Sequence, residues 1–525
     1  MQNPFRLLLI LLLATLAAPA AQAQTKILKA VAEDMSRDFQ PIFQDGNLVG
    51  YLVFTQLEKA SADSFNYRLE IMDENLNDIG TVNFRDEKLN LKAVSFDQDV
   101  LCLAYIKSNF VGKVYRNAKE FRRDIDNART SLYTQFLSLN GKIIATHNIK
   151  MEIKPEAQDV WNSTRKVVGN GRLKLPLQLS NVPGKGFACF YGDDARNNLA
   201  VFNTAGKLMW QKQVKEAATG FNLLTSASEI YLLIQVKDKM VEGGFQVLSY
   251  NALDSSVYPK FLLTDKKGNA LKVLSFTNDP STGKPYVAGL VIDPEHGNSN
   301  ATGRAIVHGP YTGVFNISLN GHTKKDIRAS FSYWNDGSQT FVDKHGYYEQ
   351  TQGYAYFQSA FRDHEGNTWF AANNIHRHPR WGAITASIVF APLFVVPIFC
   401  LSPGTHKYSS ESVTLVKQDP SGKLVLANSI PTPLGAHYQA IEPVYWMNHH
   451  SYYQVANSDA KTDYLIIDGG KNINIYNVNQ KKVQRTIPKL SGNTEVSVLP
   501  AKEGYVMVSE INLKEKTTRL SIEAL

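Results

Sequence analysis

The sequence predicts an all-β fold made of repeated hairpins, and three observations support this fold class. Short apolar or alternating runs recur along the 525 residues, as at 49–57 (VGYLVFTQL) and 67–73 (YRLEIMD). Reversals rich in Gly, Asn and Asp separate the runs, near positions 76, 140, 205, 254, 320, 421 and 479. The repeats hold two strand pairs each, and four strands per repeat predict a single β-propeller of seven or eight blades with one apolar insertion.

The clearest hairpin covers residues 132–150 (LYTQFLSLNGKIIATHNIK). Asn140 and Gly141 predict a type I′ turn with two positive φ angles, and Ile143 begins the return strand. The alternative to a propeller is a tandem array of β-sandwiches, which contain similar short strands. Sandwich boundaries would be linkers without strand character, and no stretch of the chain is long enough to be a convincing linker.

The first residues predict export. Arg6 precedes the apolar run 7–13, and Ala21-Gln22-Ala23 supplies the small residues that a signal peptidase reads. We therefore assign 1–23 to a signal peptide and 24–525 to a propeller-like domain, and we expect a periplasmic or cell-surface protein. The alternative is an uncleaved anchor, for which the apolar run is short.

The net charge and the positions of the cysteines bear on nucleic-acid binding and on disulfide formation. Removal of 1–23 takes away Arg6 and no acid, so the net charge falls from +8 to +7, and this mild, dispersed excess predicts no nucleic-acid partner. Cys102, Cys189 and Cys400 lie far apart among apolar neighbours and are interpreted as buried small hydrophobic residues. A bridge between Cys102 and Cys189 is the alternative in an oxidising compartment.

Three segments interrupt the strand pattern, and the first to be set aside is 151–175, a long polar connection without recognisable chemistry. Residues 113–129 (KVYRNAKEFRRDIDNAR) lack β-branched alternation and predict a short basic helix, either a solvated face or a docking site for an acidic partner. Residues 376–407 form the apolar insertion, in which 383–401 carry no charge. Pro392 and Pro397 divide this run, and strands precede and follow it, so a hairpin with its turn near Pro392 fits better than a membrane-spanning helix.

The apolar insertion must be covered in water. It either folds over the propeller, docks a partner, or dips into a membrane surface with Trp381 at the interface. The candidate contact residues for a partner or membrane are Trp381, Phe390, Leu393, Phe394, Ile398 and Phe399.

The sequence offers little catalytic chemistry. The motifs G-x-S-x-G, H-E-x-x-H, G-x-x-x-x-G-K-[ST], G-x-G-x-x-G and C-x-x-C do not occur. The one polar cluster is His437, Glu442, His449 and His450, whose imidazoles and carboxylate suit zinc binding or proton transfer, although the spacing matches no metal template. We expect no cofactor and no metal.

Two short segments resemble turns of known propellers. Residues 363–369 (DHEGNTW) resemble the Asp-box or sensor-propeller turn, with one extra residue between Asp363 and Gly366. Residues 203–210 (NTAGKLMW) resemble the repeat of quinone-type propellers, in which a Gly-Lys turn precedes a docking tryptophan. These resemblances imply blade hairpins and no activity.

The N-terminal segments 50–54 and 67–79 resemble a group of uncharacterised exported propeller-like proteins of Gram-negative bacteria. This resemblance would extend over most of the chain and implies no known activity. The sequence thus predicts an exported, non-catalytic binding or scaffold protein, with an unknown protein or glycan partner and contact through the apolar insertion. The alternative is a propeller enzyme, a hydrolase or lyase, acting on a glycan or peptide.

Overall fold

The computed structural model describes residues 24–29, 36–61, 64–110, 114–115, 118–153, 156–158, 167–170, 177–216, 218–237, 242–295, 297, 303–336, 339, 341–379, 406–435, 452–457, 460–468, 471–515 and 517–525. These residues form eight antiparallel sheets that follow one another along the chain, and a small three-stranded sheet whose strands come from segments within and directly after the second of them. We number the eight sheets as blades in chain order.

In blades 1 to 4 the strands run in order from the innermost to the outermost. Their bounds are Ser36–Gln44 (β2), Asn47–Lys59 (β3), Phe65–Asp73 (β4) and Asp78–Asp86 (β5); Leu89–Asp97 (β6), Val100–Ser108 (β7), Thr130–Ser138 (β9) and Ile143–Met151 (β10); Leu177–Val182 (β13), Gly186–Gly192 (β14), Asn197–Phe202 (β15) and Leu208–Val214 (β16); Ala218–Ser226 (β17), Glu229–Lys237 (β18), Glu242–Asn251 (β19) and Phe261–Leu263 (β20).

Blades 5 to 8 repeat this order, and blades 6 and 8 each gain a two-residue strand at the inner edge. Their bounds are Leu271–Asn278 (β21), Pro285–Ile292 (β22), Tyr311–Leu319 (β23) and Ile327–Tyr333 (β24); Tyr347–Tyr348 (β25), Gly353–Arg362 (β26), Thr368–Pro379 (β27), His406–Gln418 (β28) and Leu424–Gly435 (β29); Tyr452–Asn457 (β30), Thr462–Asp468 (β31), Asn472–Asn477 (β32) and Lys482–Pro488 (β33); Leu490–Ser491 (β34), Thr494–Pro500 (β35), Tyr505–Asn512 (β36), Thr517–Ala524 (β37) and Gln24–Lys29 (β1).

The remaining described elements lie between blades or strands. Val114–Tyr115 (β8), Glu156–Gln158 (β11) and Val167–Asn170 (β12) form the small sheet, with the helix Ala118–Asp126 (α1) beside it, and a 3₁₀ helix covers Gly303–His308. Helix α1 confirms the short basic helix predicted within 113–129.

The blades are arranged in a ring. Eight apolar clusters of the described residues lie one between each pair of neighbouring blades, and the last cluster joins blade 8 to blade 1 through Tyr51, Met507 and Ile522. The Tyr51 hydroxyl also donates a hydrogen bond of 3.2 Å to the Pro500 carbonyl across this junction. The fold is therefore an eight-bladed propeller, and the alternative of tandem β-sandwiches is wrong.

The sequence pattern follows from this packing. Second strands lie between two neighbouring blades, so both of their faces are buried and they are nearly continuous apolar runs, as in β14 (GFACFYG) and β22 (PYVAGLVI). Outermost strands have one solvated face, and β10 (IIATHNIKM) accordingly alternates in burial along most of its length.

Closure of the ring depends on the two ends of the chain. Strand β1 pairs antiparallel with β37, from Gln24 opposite Ile522 to Lys29 opposite Thr517. The N-terminal strand is thus the outermost strand of a blade whose other strands come from the C-terminus. Lys26 also forms an ion pair with Asp78 on the outermost strand of blade 1.

The prediction for the clearest hairpin is confirmed only in part. The hairpin at 132–150 is confirmed as β9 and β10, but its type I′ turn is wrong, because Gly141 has a φ of +84° and Asn140 is not among the residues with positive φ. The Gly141 N–H donates a hydrogen bond of 2.9 Å to the Ser138 carbonyl, as in a type I turn that ends in a left-handed glycine.

Cys102 and Cys189 are buried free thiols, as interpreted from the sequence, and Cys400 lies outside the described residues.

Both propeller-like turns are blade hairpins. In blade 6 the Asp363 carboxylate accepts hydrogen bonds from the Glu365 and Asn367 N–H groups at 3.0 and 2.8 Å and from Trp369 Nε1 at 2.7 Å. In blade 3 the Trp210 indole donates a 2.8 Å bond to the Ala252 carbonyl of blade 4, so this tryptophan does dock on the next blade.

Replacement of Asp363 by alanine is expected to destabilise the protein by about 2 to 4 kcal/mol, because buried donors, including the indole of Trp369, lose their acceptor. The matched control is Asp419→Ala at the outer turn of the same blade. Asp419 also accepts two backbone N–H bonds, from Ser421 and Lys423, but is half-exposed, so about 1 kcal/mol is expected. Urea unfolding of both variants measures the difference, and equal losses would contradict the role of burial.

Candidate functional site

The two faces of the propeller differ in the length of their loops. On one face, which we call the hairpin face, innermost strands turn into second strands and third strands into outermost ones, through loops of nine residues or fewer. On the other, the connection face, second strands lead to third strands and each blade leads to the next. The long segments open there, at 109–129, 152–176, 293–310, 334–346, 380–405 and 436–451.

All residues of the two sequence-predicted sites lie outside the described residues. This holds for the contact residues Trp381, Phe390, Leu393, Phe394, Ile398 and Phe399 and for the polar cluster His437, Glu442, His449 and His450. Their anchoring strands are described. The first segment joins β27 to β28 and the second joins β29 to β30, so both open on the connection face of blade 6.

The ends of the apolar insertion are regular strand. Strands β27 and β28 remain paired from Ile375 opposite Ser410 to Pro379 opposite His406. This pairing continues beyond Ile375, the last residue of β27 that pairs with β26. The positions 376–379 and 406–407 therefore belong to a two-stranded ribbon that extends from blade 6. The predicted turn near Pro392 lies outside the described residues.

Two histidines, His376 and His378, lie on the β27 strand of this ribbon. His378 Nε2 lies 2.8 Å from the Ser409 hydroxyl, His376 Nε2 lies 3.2 Å from the Asn374 amide, and the two imidazole rings are 6.2 Å apart. Among the described residues no group of three or more His, Cys, Asp or Glu side chains is placed to hold a metal ion. Within the same part of the chain, no helix has the length and hydropathy to cross a membrane.

Between blades 5 and 6 lies a cation to which the described residues supply no carboxylate partner. Lys272 is the second residue of β21, and its Nζ lies 2.9 Å from the Tyr311 hydroxyl. The same Nζ is 5.2 Å from the centroid of the Tyr311 ring and 5.7 Å from that of Tyr356, at cation–π distances. Burial lowers the pKa of Lys272 to about 8. The sequence analysis missed this residue, although a single lysine in the apolar strand LKVLSF was a signal for it.

The hairpin face carries an acid, a histidine and a serine in hydrogen-bond contact. His322 Nε2 lies 2.7 Å from Glu229 Oε1, and His322 Nδ1 lies 3.2 Å from the Ser249 hydroxyl. The Tyr258 ring stacks on the imidazole at 3.6 Å. Ser249 is only 4% exposed, so this serine is not open to a substrate and the group holds the turns of blades 4 and 5 together.

A buried ion pair joins blades 5 and 6 on the hairpin face. Arg362 forms an ion pair with Asp279, its Nη1 lies 3.2 Å from the Ser318 hydroxyl, and its guanidinium lies 4.6 Å from the centroid of the Tyr286 ring. Burial favours a higher pKa for Asp279, but hydrogen bonds from Ser281 and Arg362 outweigh burial and lower the pKa. Both charged side chains are nearly inaccessible to solvent, so this pair is structural.

Comparisons with solved structures give distant similarities. The Dos1 propeller shares 7% identity at a TM-score of 0.43, with 94% of each chain covered. The WD40 domain of SCAP from fission yeast shares 8% identity at a TM-score of 0.38, covering 95% of this chain and 98% of that one. Apo AztD from Citrobacter koseri shares 10% identity at a TM-score of 0.36, covering 91% and 95%. These similarities are too weak to carry a functional argument.

Comparisons with other protein sequences also give little information on function. No curated protein matches the chain. Residues 4–147, which include blade 1 and most of blade 2, match the family described as Family of unknown function (DUF6770). Together with the eight blades, this match confirms the expected resemblance to an uncharacterised family with a propeller fold.

Proposed function

We propose that this chain is an exported, non-catalytic binding or scaffold protein that engages its partner through the connection face of blade 6. The observation that carries the proposal is the uneven distribution of long segments. All those named above open on the connection face, and two of them, 380–405 and 436–451, open there from strands of blade 6. A propeller scaffold holds such loops on rigid strands, which is the usual arrangement of a binding surface.

The apolar insertion is the proposed contact element. Its sequence has 19 uncharged residues at 383–401, and its ribbon anchors it beyond the end of the blade. An apolar segment of this size is stable in water only when it is covered, by a partner, by a membrane surface or by the protein itself. Trp381, Arg377 and Arg380 at one end fit an interfacial position, where an indole and basic groups meet lipid head groups.

A defined deletion tests the proposal. Pro379 and His406 are directly opposite one another, so an Asn-Gly pair in place of 380–405 closes the ribbon with a two-residue turn. The deletion variant is expected to keep the unfolding midpoint of the full chain and to move from the membrane fraction to the soluble fraction of the cells. Co-sedimentation with phosphatidylglycerol and phosphatidylethanolamine vesicles then distinguishes lipid from a membrane protein as the partner.

Point variants separate sequence from length. The triple variant Phe390→Ser, Leu393→Ser and Phe394→Ser keeps the insertion length and is expected to reproduce the loss of sedimentation, whereas Thr385→Ala in the same segment is the matched control. A soluble, monomeric full-length protein would contradict the proposal. So would a deletion variant that unfolds, because the segment would then be part of the core.

A further inference from the structure

The processing site predicted from the sequence lies directly before the first strand of the fold. The predicted signal peptide ends at Ala23, and β1 begins at Gln24. Pairing starts at the same residue, because Gln24 is opposite Ile522 in the ladder between β1 and β37. The bond that a signal peptidase would cleave, between residues 23 and 24, is therefore adjacent to the outermost strand of blade 8.

The closed ring holds the residues that follow this bond. They pair along their whole length with β37, Leu28 packs against the apolar cluster between blades 8 and 1, and Lys26 forms its ion pair with Asp78. A protease needs the residues on both sides of its target bond as an extended segment that is free of other partners, so it acts on the locally opened form of a folded chain. Cleavage in the closed ring thus requires β1 to detach first.

Strand β1 can join its blade only late in export. In blades 1 to 7 a hairpin joins the third strand to the outermost one, whereas β1 and β37 come from opposite ends of the chain. Export begins with the signal peptide at the N-terminus, so β37, which covers Thr517–Ala524, is the last strand to cross the membrane. Until β37 arrives, β1 has no partner and the bond before it is accessible.

We infer that cleavage between Ala23 and Gln24 has to precede the closure of the ring by β1, so that the segment released by processing is the strand that completes the propeller. The inference rests on the export that we propose above and goes beyond it, because it sets an order between processing and folding. It does not depend on the apolar insertion. The N-terminal end of β1 lies at the hairpin face, whereas the insertion opens on the connection face.

Digestion of the folded full chain, 1–525, by a purified bacterial signal peptidase in mild detergent tests this order. The matched control carries a spacer of about twelve residues between Ala23 and Gln24, rich in Gly and Ser, which moves the bond away from the strand. The spacer begins with a copy of Gln24-Thr25, so the residues next to the bond are unchanged. The full chain is expected to be cleaved at least about tenfold more slowly than the spacer variant when both are folded, and equally fast when both are unfolded in urea.

Equal cleavage of the two folded chains would overturn the inference and leave the proposed export intact. If neither chain is cleaved even when unfolded, 1–23 is not a signal peptide, and the proposed export and the inference fail together. Mass spectrometry, which detects the loss of 1–23, distinguishes these results.

Substitutions within β1 provide a second test. Leu28→Ala weakens the packing of β1 and is expected to speed cleavage of the folded full chain severalfold. Ile27→Thr is the matched control, because Ile27 is 65% exposed, and it should leave the rate unchanged. The two variants should be cleaved alike when unfolded, which checks the preference of the protease itself. Equal rates for the two folded variants would contradict the protection of this bond by β1.

Discussion

A chain that lacks residues 24–29 is expected to lose about 4 kcal/mol or more of unfolding free energy, because six residues of β-ladder and the packing of Leu28 disappear together. The loss extends beyond one strand. Without β1, the edge of β37 is unpaired, and the apolar cluster between blades 8 and 1 is opened to water on one side. Urea unfolding, followed by tryptophan fluorescence, measures the change in midpoint.

Substitutions within β1 provide the controls for this deletion. Ile27 is 65% exposed, so Ile27→Thr should leave stability unchanged, whereas Leu28→Ala should reduce it by about 1 to 2 kcal/mol. A synthetic peptide with the sequence QTKILK, added in excess to the deletion variant, is expected to restore part of the midpoint by pairing with β37. An unchanged unfolding curve for the deletion variant would show that ring closure by β1 does not stabilise the protein.

The blade count illustrates what the sequence could and could not predict. All seven reversals found in the sequence lie at turns between the third and the outermost strand, one in each of blades 1 to 7. These turns require left-handed residues or side-chain acceptors, so they leave a local signal, as with Gly206 (φ +75°) in blade 3. Blade 8 has no such turn, because its outermost strand comes from the other end of the chain. The pairing of β1 with β37 leaves no local signal in the sequence. For this reason the sequence could not decide between seven and eight blades.

The same distinction applies to functional residues. Sequence reasoning found segments that are unusual in composition. The apolar insertion and the segment with the histidine cluster open on one face of blade 6, and the basic helix lies between strands of blade 2. It missed Lys272, because a lysine within an apolar strand does not reveal the two tyrosines that contact it from other strands. It also missed Arg362, whose partner Asp279 lies 83 residues earlier in the chain. Contacts between blades form only when the chain closes into a ring, and the sequence pattern of a single segment does not show which distant residues the ring brings together.

Replacement of Arg362 by methionine is expected to destabilise the protein by about 3 to 5 kcal/mol, since Asp279 is left as a buried charge without its cation. The surface variant Arg519→Met is the matched control, because the Arg519–Glu510 pair is exposed and 3.6 Å apart; its effect should stay within about 1 kcal/mol. The double variant Arg362→Met and Asp279→Asn removes both charges and should be more stable than Arg362→Met alone.

The pH dependence of the Arg362→Met effect separates charge from packing. In the native protein the pKa of Asp279 is below its unfolded value, so its contribution is present above the unfolded pKa and is lost as the pH falls. Without Arg362 the buried carboxyl is expected to have a raised pKa and to become protonated, and thus neutral, on acidification. The stability difference between native protein and variant should therefore shrink between pH 7 and about pH 4. A difference that stays constant over this range would mean that Arg362 acts through its packing on Tyr286, and the buried charge pair would not be what joins blades 5 and 6.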